Sequence, residues 1–488
     1  MNKHDGKEET ILPARYDSKW NLLQQGQVEK IHRASLQILE RTGIRMPHEG
    51  LQKALKAGGA RVDRETNLVF WPPELVEELL GRAPRVFTLC ALDPARDLVL
   101  DGSHGYLTLD GSGLQVIDFD SGSLRLSTKK DLADAVRVAD YLGQIAFLWP
   151  VISAQDYPRE VQPLHELAAL LSNSTKHAQA MTAVNALTAR GSLEIAAAAA
   201  GGEEALKERP IISNFQCSIS PLSYEGEGLE AAFIFAGAGI PVGFMTMQIG
   251  CSTAPGTLAG SLALGNAEII AGMAALQLMH PGAPTFYGSC ATVMELKSGG
   301  VACGGPEDFA MQAMSAQMAR HYRVPSNIGT FAPNAKDSNW HAGVENASSG
   351  AASIFAGADM MCGAGLLNGA RIFSFEQLLM DCEIFEMLRR TAERIEVNEE
   401  TLALDTIHSV GPGNHYMAEP HTFKHLREIW QPTVIDRSPY EKWLAEGRRD
   451  ALENAHRRAA EILANHRPEV LTAEVKAGID KIIAKYES

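Results

Sequence analysis

Residues 241–293 decide the fold class. They read PVGFMTMQIG at 241–250, LAGSLALGNAEIIAGMAALQLMHPG at 258–282 and PTFYGSCATV at 284–293. The first and third segments are short, nearly continuous apolar runs, which are typical of strands that are buried on both faces. The long segment between them has the length and composition of a helix. A buried strand, a helix and a second buried strand predict parallel strands joined by a right-handed crossover.

The same alternation of a buried strand and a helix continues through the central part of the chain. Seven strand–helix units follow one another, and their strands are expected within residues 145–153, 177–184, 210–220, 241–250, 284–293, 325–332 and 359–369. Seven or eight such units favour a closed barrel over an open, doubly wound sheet. The chain is therefore predicted to be an α/β protein with a TIM-type (β/α)8 barrel. The eighth strand is expected in the N-terminal region or near residues 404–410.

The regions that flank the predicted barrel have other patterns. Residues 1–140 are expected to form N-terminal helices and a small antiparallel meander, because residues 105–127 alternate apolar and polar side chains across turns. The barrel is assigned to residues 141–400. Residues 401–488 are rich in aromatic and charged side chains and are expected to form a helical tail that caps the barrel or binds a neighbouring subunit. We therefore expect a homo-oligomer.

Composition and charge exclude several classes of function. A chain of 488 residues that is 45% hydrophobic and 21% charged is typical of a soluble globular protein. The net charge of -15 argues against nucleic-acid binding, which needs basic stripes. Residues 1–16 contain no apolar signal core, and no run of about 18 apolar residues exists, so neither secretion nor a membrane span is expected. Seven scattered cysteines fit reduced thiols in a cytoplasm.

Functional residues of a strand–helix barrel lie at the carboxyl ends of its strands and in the loops that follow. Those positions hold an aromatic, amide-bearing and moderately acidic set: Asp156, Tyr157, Asn185, Phe215, Gln216, Gln248, Tyr287, Glu295, Phe331, Asp337, His341 and Cys362. No G-x-S-x-G elbow supports a serine nucleophile. A catalytic cysteine stays open at Cys217, Cys290 or Cys362, although inert packing is the commoner role of cysteine.

The tail contains three histidines close in sequence, His415, His421 and His425. A zinc site would need a further ligand and fixed geometry, and the spacing matches no standard zinc motif. No metal is therefore predicted, and these histidines are expected to hydrogen-bond near the start of a helix.

Residues 330–346, TFAPNAKDSNWHAGVEN, place Asp337, His341 and Glu345 four residues apart, and therefore on one face of a helix. Asp337 is favourable as a cap or first-turn acid, and that role is sufficient for it. A carboxylate beside a histidine fixes the tautomer of the imidazole and favours its charged form. If this face looks into the barrel mouth, His341 can donate to an anionic group of a substrate.

Four segments are informative through their order and spacing. They are residues 107–142, DSNWHAGVEN at 337–346, GAGLLNGARIFSFEQLLMDCEI at 363–384, and HTFKHLREIWQPTVIDRSPYEKW at 421–443. Together they resemble the trimethylamine methyltransferase family of corrinoid-dependent methyltransferases, and the resemblance runs from about residue 25 to residue 465. It implies a TIM-type barrel that transfers one carbon, as a methyl group, from a methylated amine to the Co(I) of a separate corrinoid protein.

The resemblance also narrows the expected substrate. The archaeal trimethylamine enzymes of the family carry pyrrolysine at the barrel mouth, whereas this chain contains only standard residues. It matches the branch without pyrrolysine, which includes enzymes for glycine betaine and other quaternary amines. Glycine betaine, demethylated to dimethylglycine, is the expected substrate. The alternatives are trimethylamine or another methylamine or betaine and, from a different class, a non-catalytic protein that binds quaternary amines.

A nucleophile that arrives on a corrinoid protein requires no catalytic side chain here, so none is assigned. No tightly bound cofactor is expected, since the cobalamin belongs to the partner. The predicted substrate-binding residues are aromatic, amide, imidazole and carboxylate side chains at strand ends: Phe215, Tyr287, Phe331, Asn185, Gln216, Gln248, His341 and Glu345. The aromatic faces would hold the cation, Glu345 would add attraction, and His341, Gln216 or Asn185 would donate to a substrate carboxylate.

Overall fold

The structure, a computed structural model, describes residues 10–111 and 113–487. Eight parallel strands form its core: β1 (His104–Thr108), β2 (Ile145–Phe147), β3 (Ala178–Gln179), β4 (Ile212–Cys217), β5 (Val242–Thr246), β6 (Thr285–Ser289), β7 (Ser326–Gly329) and β8 (Met360–Cys362). A helix follows each strand: α1 (Lys129–Tyr141), α2 (Gln162–Asn173), α3 (Ala186–Ala200), α4 (Gly226–Gly237), α5 (Leu258–Met279), α6 (Pro306–Tyr322), α7 (Trp340–Ala356) and α8 (Phe375–Ala392).

The eight strands form a strongly curled sheet. Strand β2 pairs with β1, β1 with β8, and the ladder continues through β7, β6, β5 and β4 to β3, always in parallel. Between β2 and β3 lies one parallel bridge pair, Leu148 and Ala178. There the Leu148 N–H donates to the His177 carbonyl at 2.9 Å, and the Gln179 N–H donates to the Leu148 carbonyl at 2.7 Å. We call the end of the sheet at which the carboxyl ends of these strands lie the mouth.

The seven strands predicted from apolar runs are present as β2 to β8. The eighth is β1, in the N-terminal region, and the alternative position is wrong because the helix Leu404–Val410 occupies it. The predicted meander is confirmed for the antiparallel pair Gln115–Ile117 and Leu124–Leu126 but is wrong for His104–Thr108. That strand pairs in parallel with two neighbours and is largely buried, so the core sheet begins before residue 141.

Short elements surround the core sheet. Strand Ala14–Arg15 pairs antiparallel with β1. The remaining strands form small separate sheets: Ile44–Arg45, Arg61–Asp63 and Leu68–Phe70; Phe87–Leu89 and Leu98–Leu100; Ile249–Gly250, Thr292–Met294 and Val301–Ala302; and Leu366–Leu367 with Ile372–Phe373 beside the meander pair. The N-terminal helices are Gln25–Gln37, which continues as the π-helix Ile38–Thr42, then Glu49–Ala57, Pro73–Leu80 and the 3-10 turn Pro94–Arg96. Helix Glu203–Glu208 follows α3.

The tail is helical, as predicted. Its elements are Glu399–Leu402, Leu404–Val410, Pro420–His425, the 3-10 turn Leu426–Glu428, Tyr440–Ala445, Ala451–Asn465 and Ala473–Glu487. The helix Ala451–Asn465 packs against α8 and α1, and Ala473–Glu487 packs against α3 and α2. The last two helices therefore bind the first helices of the core to its last helix.

One described helix, α5, is long and apolar enough to cross a membrane, but 83% of its most apolar window is buried inside the fold. It packs directly behind β5 and β6, which is the position of a core helix. The expectation of no signal sequence rests chiefly on residues 1–9, which lie outside the described residues. Ser112, in the predicted turn 110–113, lies outside them too.

Candidate active site

A cavity of about 260 Å³ lies at the mouth of the curled sheet. Residues at or just after the carboxyl ends of β1, β3, β4, β5, β6 and β7 line it. Six of them carry sulfur: Met181, Cys217, Met245, Met247, Cys290 and Cys303. Two carboxyl groups, from Asp110 and Asp308, face the same space. The cavity is thus small, polarizable and acidic.

Two of the three thiols that line the cavity, those of Cys217 and Cys303, are protonated at neutral pH. Cys217 ends β4 and is accessible from the cavity, although protein surrounds it, and burial raises its pKa to about 12. Burial, with Asp308 nearby, likewise raises the pKa of Cys303 to about 12. A hydrogen bond with Cys290, and then burial, raises the pKa of Cys362 well above its ordinary value. Because the thiolate is the nucleophile, these cysteines are not activated for attack.

Asp110 follows β1 and points into the cavity. The N–H of Gly111 donates to its Oδ1 at 2.7 Å, and the thiol of Cys362 donates to the same carboxyl group. Burial raises the pKa of Asp110 to about 6, although both hydrogen bonds oppose that rise. The carboxyl group is therefore mostly ionised at pH 7 and can serve as the partner of a cation.

Asp308 lies in the first turn of α6. The N–H of Gly304 donates to its Oδ2 at 2.9 Å, and the Gln312 side chain, one turn later, also bonds to it. The Gln312 amide oxygen accepts the Ser349 hydroxyl at 3.0 Å, which leaves the amide N–H groups for the carboxylate. Burial, together with the negative charge of Glu345, raises the pKa of Asp308 to about 7.

Aromatic side chains fill the space enclosed by the curled sheet behind the cavity. Phe215 lies on the same face of β4 as Cys217, one step further from the mouth. Its ring centroid is 5.2 Å from that of Trp149 and 4.5 Å from that of Phe286. A Cβ atom at Gly243 would lie 2.2 Å from the Phe286 ring and 2.3 Å from the Phe215 ring. Glycine in β5 therefore allows two rings to fill the space.

The three predicted cage rings do not come together. Phe215 belongs to the packing behind the cavity, whereas the Tyr287 hydroxyl bonds to Asn266 of α5 at 3.1 Å. The Phe331 ring is fully buried against Gly350 of α7, and the Phe331 backbone lies beside Gly363. None of the three lines the cavity. The three rings therefore do not form a cage: Phe215 packs inside the curled sheet, whereas Tyr287 and Phe331 pack against α5 and α7, because alternate side chains of a strand face opposite ways.

The predicted amides also lie away from the cavity. Gln216 faces outward from β4, and its Nε2 donates to the Ala183 carbonyl at 3.1 Å. Asn185 caps α3 by accepting the Thr188 N–H at 2.9 Å. Gln248 lies against Gly265 of α5, and its Nε2 donates to the Ser261 carbonyl at 3.2 Å. These contacts fix loops and helix starts near the mouth.

His341 and Glu345 are paired, as predicted, at the side of the cavity. His341 Nε2 lies 2.8 Å from Glu345 Oε1, and Glu345 Oε2 accepts the Ala335 N–H at 3.0 Å. Glu345 is close behind Gly304, where a Cβ atom would lie 2.5 Å from its Cδ. The cap of α7 is Asn339, whose side chain accepts the His341 N–H at 2.8 Å, so the predicted capping role of Asp337 is wrong.

The carboxyl groups of the cavity were absent from the predicted substrate-binding set. Asp110 would have been found had β1 been identified, because it is two residues beyond that strand's end. Asp308 offers less signal, since an acid in the first turn of a helix is ordinary capping. Its partner Gln312, four residues later on the same face, is the one feature that sets it apart.

A possible metal-ligand group lies in the tail. Glu400, His421 and His425 present ligand atoms within 4.8 Å of one another. The same Glu400 carboxylate also forms an ion pair with Lys424, and His425 Nδ1 lies 2.8 Å from Glu428. These residues are not part of the cavity lining, and the exposed ion pair competes for the carboxylate that an ion would need.

A family model described as trimethylamine methyltransferase (MTTB) matches residues 2–488. The chain belongs to this family. Its methyltransferases act with corrinoid proteins, so the protein is a corrinoid-dependent methyltransferase, as the resemblance implied. The sequence-based family prediction is confirmed.

Relatives in this family carry two different substrate names. The chain is 34% identical to a trimethylamine methyltransferase MttB of Desulfitobacterium hafniense, over 94% of this chain and 92% of the relative. It is also 34% identical to a glycine betaine methyltransferase of the same species, over 96% and 97%. The solved Methanosarcina barkeri monomethylamine methyltransferase aligns with a TM-score of 0.53 at 11% identity, covering 92% of this chain and 90% of that one. This likeness supports the α/β fold.

Proposed function

We propose that the protein transfers a methyl group from a methylated ammonium, bound in the mouth cavity, to the Co(I) of a separate corrinoid protein. The carbon–nitrogen bond breaks and its electron pair leaves on the amine, while the electron pair of Co(I) forms the cobalt–carbon bond. The observation that carries this proposal is an acidic, sulfur-lined cavity in which burial keeps the thiols of Cys217 and Cys303 protonated. Such a cavity binds a cation, and neither of these two thiols competes as a nucleophile.

The chemistry asks little of the protein beyond binding. A quaternary ammonium releases a neutral amine, so no general acid is required. The cavity must hold one methyl group toward the approaching metal and keep water away, and such positioning supplies several kcal/mol of barrier lowering. No catalytic residue and no tightly bound cofactor are proposed for this chain.

Exposed apolar side chains around the mouth support a docked partner. They come from the loops and helix starts after β3 to β7: Val184, Leu187, Ile219, Met247, Leu296 and Trp340. Leu296 is 79% exposed and Trp340 is 81% exposed. Exposed apolar patches of this kind mark protein contact sites. We propose that the corrinoid protein docks over them and so covers the cavity.

Two substrates stand as candidates within this proposal. Glycine betaine, giving dimethylglycine, is the substrate that the sequence predicts, and one relative carries that name. Trimethylamine is the alternative, and a second relative carries that name at the same 34% identity. Sequence identity therefore does not distinguish the two substrates. The distinction has to come from the chemistry of the cavity.

We propose further that the curled sheet is a complete TIM-type (β/α)8 barrel. The bridge between Leu148 and Ala178, with its two hydrogen bonds, supports closure between β2 and β3. Exposed apolar side chains of the tail, among them Met417 (73%) and Phe423 (62%), support the proposed homo-oligomer. The seven free cysteines support the proposed cytoplasmic location.

The test is a methyl-transfer assay. Purified protein, a Co(I) corrinoid protein and a quaternary amine should together convert the visible spectrum of Co(I) into that of methyl-Co(III), and the demethylated amine should appear in equal amount. A parallel sample without the corrinoid protein should show no methylated enzyme by intact mass. Binding of the amine without transfer to any corrinoid protein would favour the non-catalytic binding protein, and a methylated enzyme would restore a cysteine nucleophile.

A further inference from the structure

We propose that the mouth cavity takes a methylated ammonium of net positive charge that carries no carboxylate, and that Asp110 and Asp308 are its counter-ions. The inference rests on the proposed binding of a methylated amine in this cavity. It chooses by charge between the substrate classes that the names of the relatives leave open, and it adds two specificity-determining residues.

The charge of the lining points to a cation. The two carboxyl groups of the lining, those of Asp110 and Asp308, face the cavity. None of the described lining residues is lysine, arginine or histidine. Of the basic groups outside the lining, His341 bonds to Glu345, and Lys336, whose charge opposes the rise in the pKa of Cys303, bonds to Asn334. A carboxylate placed in so small a cavity would therefore lie close to like charge, which disfavours binding.

The hydrogen-bond donors of the lining point the same way. The Gln312 amide bonds to Asp308, and the Thr292 hydroxyl donates to the Ala302 carbonyl at 2.6 Å. The Thr330 hydroxyl donates to the Ile328 carbonyl at 2.9 Å. A betaine carboxylate would lose its water without gaining these donors, whereas a quaternary ammonium needs no donor at all.

The size and softness of the cavity suit methyl groups. Its volume of about 260 Å³ is below the range of roughly 300–1,000 Å³ that drug-sized ligands occupy. Thioether and thiol sulfurs are polarizable, and methionine adapts its shape to irregular groups. Met181, Met245 and Met247 can thus close around N-methyl groups while the two carboxyl groups balance the charge.

Binding should be linked to proton release. Asp110 faces the Cys362 thiol and the Gly111 N–H, and Asp308 faces the Gly304 N–H and Gln312 with Glu345 behind it. Burial raises the pKa of Asp110 to about 6 and that of Asp308 to about 7. A bound cation favours the ionised form of both groups, so affinity should rise with pH through these values as protons leave.

The experiment is calorimetric binding to the full-length protein with three matched ligands. Choline is the net cation, glycine betaine is the zwitterion, and 3,3-dimethyl-1-butanol is the neutral carbon analogue of choline. Choline should bind at least about tenfold more tightly than either of the others. Its affinity should rise about tenfold between about pH 5.5 and about pH 8, with protons released to the buffer near neutrality.

Two cavity variants and a matched control locate the effect. Asp308→Asn and Asp110→Asn should each weaken choline binding by at least about fivefold and flatten its pH dependence. Asp359→Asn should leave choline affinity unchanged, because Asp359 is an equally buried carboxyl group at the opposite end of the sheet, where it accepts the Ser326 N–H.

The outcomes separate this inference from the proposed function. Glycine betaine that binds as tightly as choline and donates its methyl group to the corrinoid protein would overturn the inference and keep the function. Selective choline binding without methyl transfer would keep the inference and overturn the function. If choline and its neutral analogue bind equally well, Asp110 and Asp308 do not act as counter-ions, whatever the two variants show.

Discussion

The connections that follow β6 and β7 begin alike and end in opposite environments. Both leave the sheet at the mouth, and both lead into helices of 17 residues. After β7, the half-exposed His341 pairs with Glu345. After β6, one carboxyl group, that of Asp308, is buried beside the cavity and held by the Gly304 N–H and Gln312. The dense charged cluster in the sequence therefore lies in the more exposed connection, and the carboxyl group that is buried beside the cavity comes from the other connection.

Gly304 is the reason the two connections meet. Its φ of +76° places it in the left-handed region, and it packs against the Glu345 carboxyl group. The same residue donates its N–H to Asp308. One glycine thus links the buried carboxyl group of the first connection to the ion pair of the second.

The largest loss of stability is expected when Gln312 is replaced. Gln312→Leu removes a donor from Asp308 and an acceptor from the hydroxyl of Ser349, so it should lower the free energy of unfolding by about 2–3 kcal/mol in urea denaturation. It should also move the pH dependence of cation binding to higher pH, since Asp308 loses a hydrogen bond that favours its ionised form.

Gln317→Leu is the matched control for that change. Gln317 is a buried amide of the same helix that bonds to Asn21 and to the backbone of Leu23. Its loss should destabilise the protein comparably and leave the pH dependence of binding unchanged. Identical pH profiles for the two variants would show that Gln312 does not influence the ionisation of Asp308 in the cavity.

An intermediate effect is expected at Gly304. Gly304→Ala combines an unfavourable φ with a contact against Glu345 and should lower the free energy of unfolding by about 2 kcal/mol. Gly299→Ala has a similar φ of +72° but open space around it, so it should lose only about 1 kcal/mol. Thermal or urea unfolding of both variants separates strain from contact. Equal losses would show that the approach to Glu345 contributes nothing.

The smallest effect is expected at His341. The side chain is 53% exposed and its partner is Glu345, so His341→Ala should change the free energy of unfolding by no more than about 1 kcal/mol. Cation affinity should change by less than about threefold, because the imidazole does not line the cavity. A tenfold loss of affinity, measured by calorimetry, would instead return His341 to the substrate contacts that the sequence predicts.

The fold was predictable because buried parallel strands leave a strong signal. Apolar runs identified β2 to β8, whereas β1 alternates enough to resemble a meander strand. The site was less predictable, because a strand end fixes the position of a residue but not its face. Cys217 faces the cavity while its neighbour Gln216 faces α4. That choice depends on the curl and register of the whole sheet, which the local sequence does not encode.

The two last helices have a consequence for biosynthesis. A single bridge pair joins β2 and β3, so this is the weakest strand pairing of the core sheet. The helices α2 and α3 flank it. Glu487 bonds to His165 of α2 at 2.9 Å, and Lys485 bonds to Glu194 of α3 at 2.8 Å. These contacts thus come from residues that follow all eight core strands in the chain, so a nascent chain can hold every strand in place and still lack them.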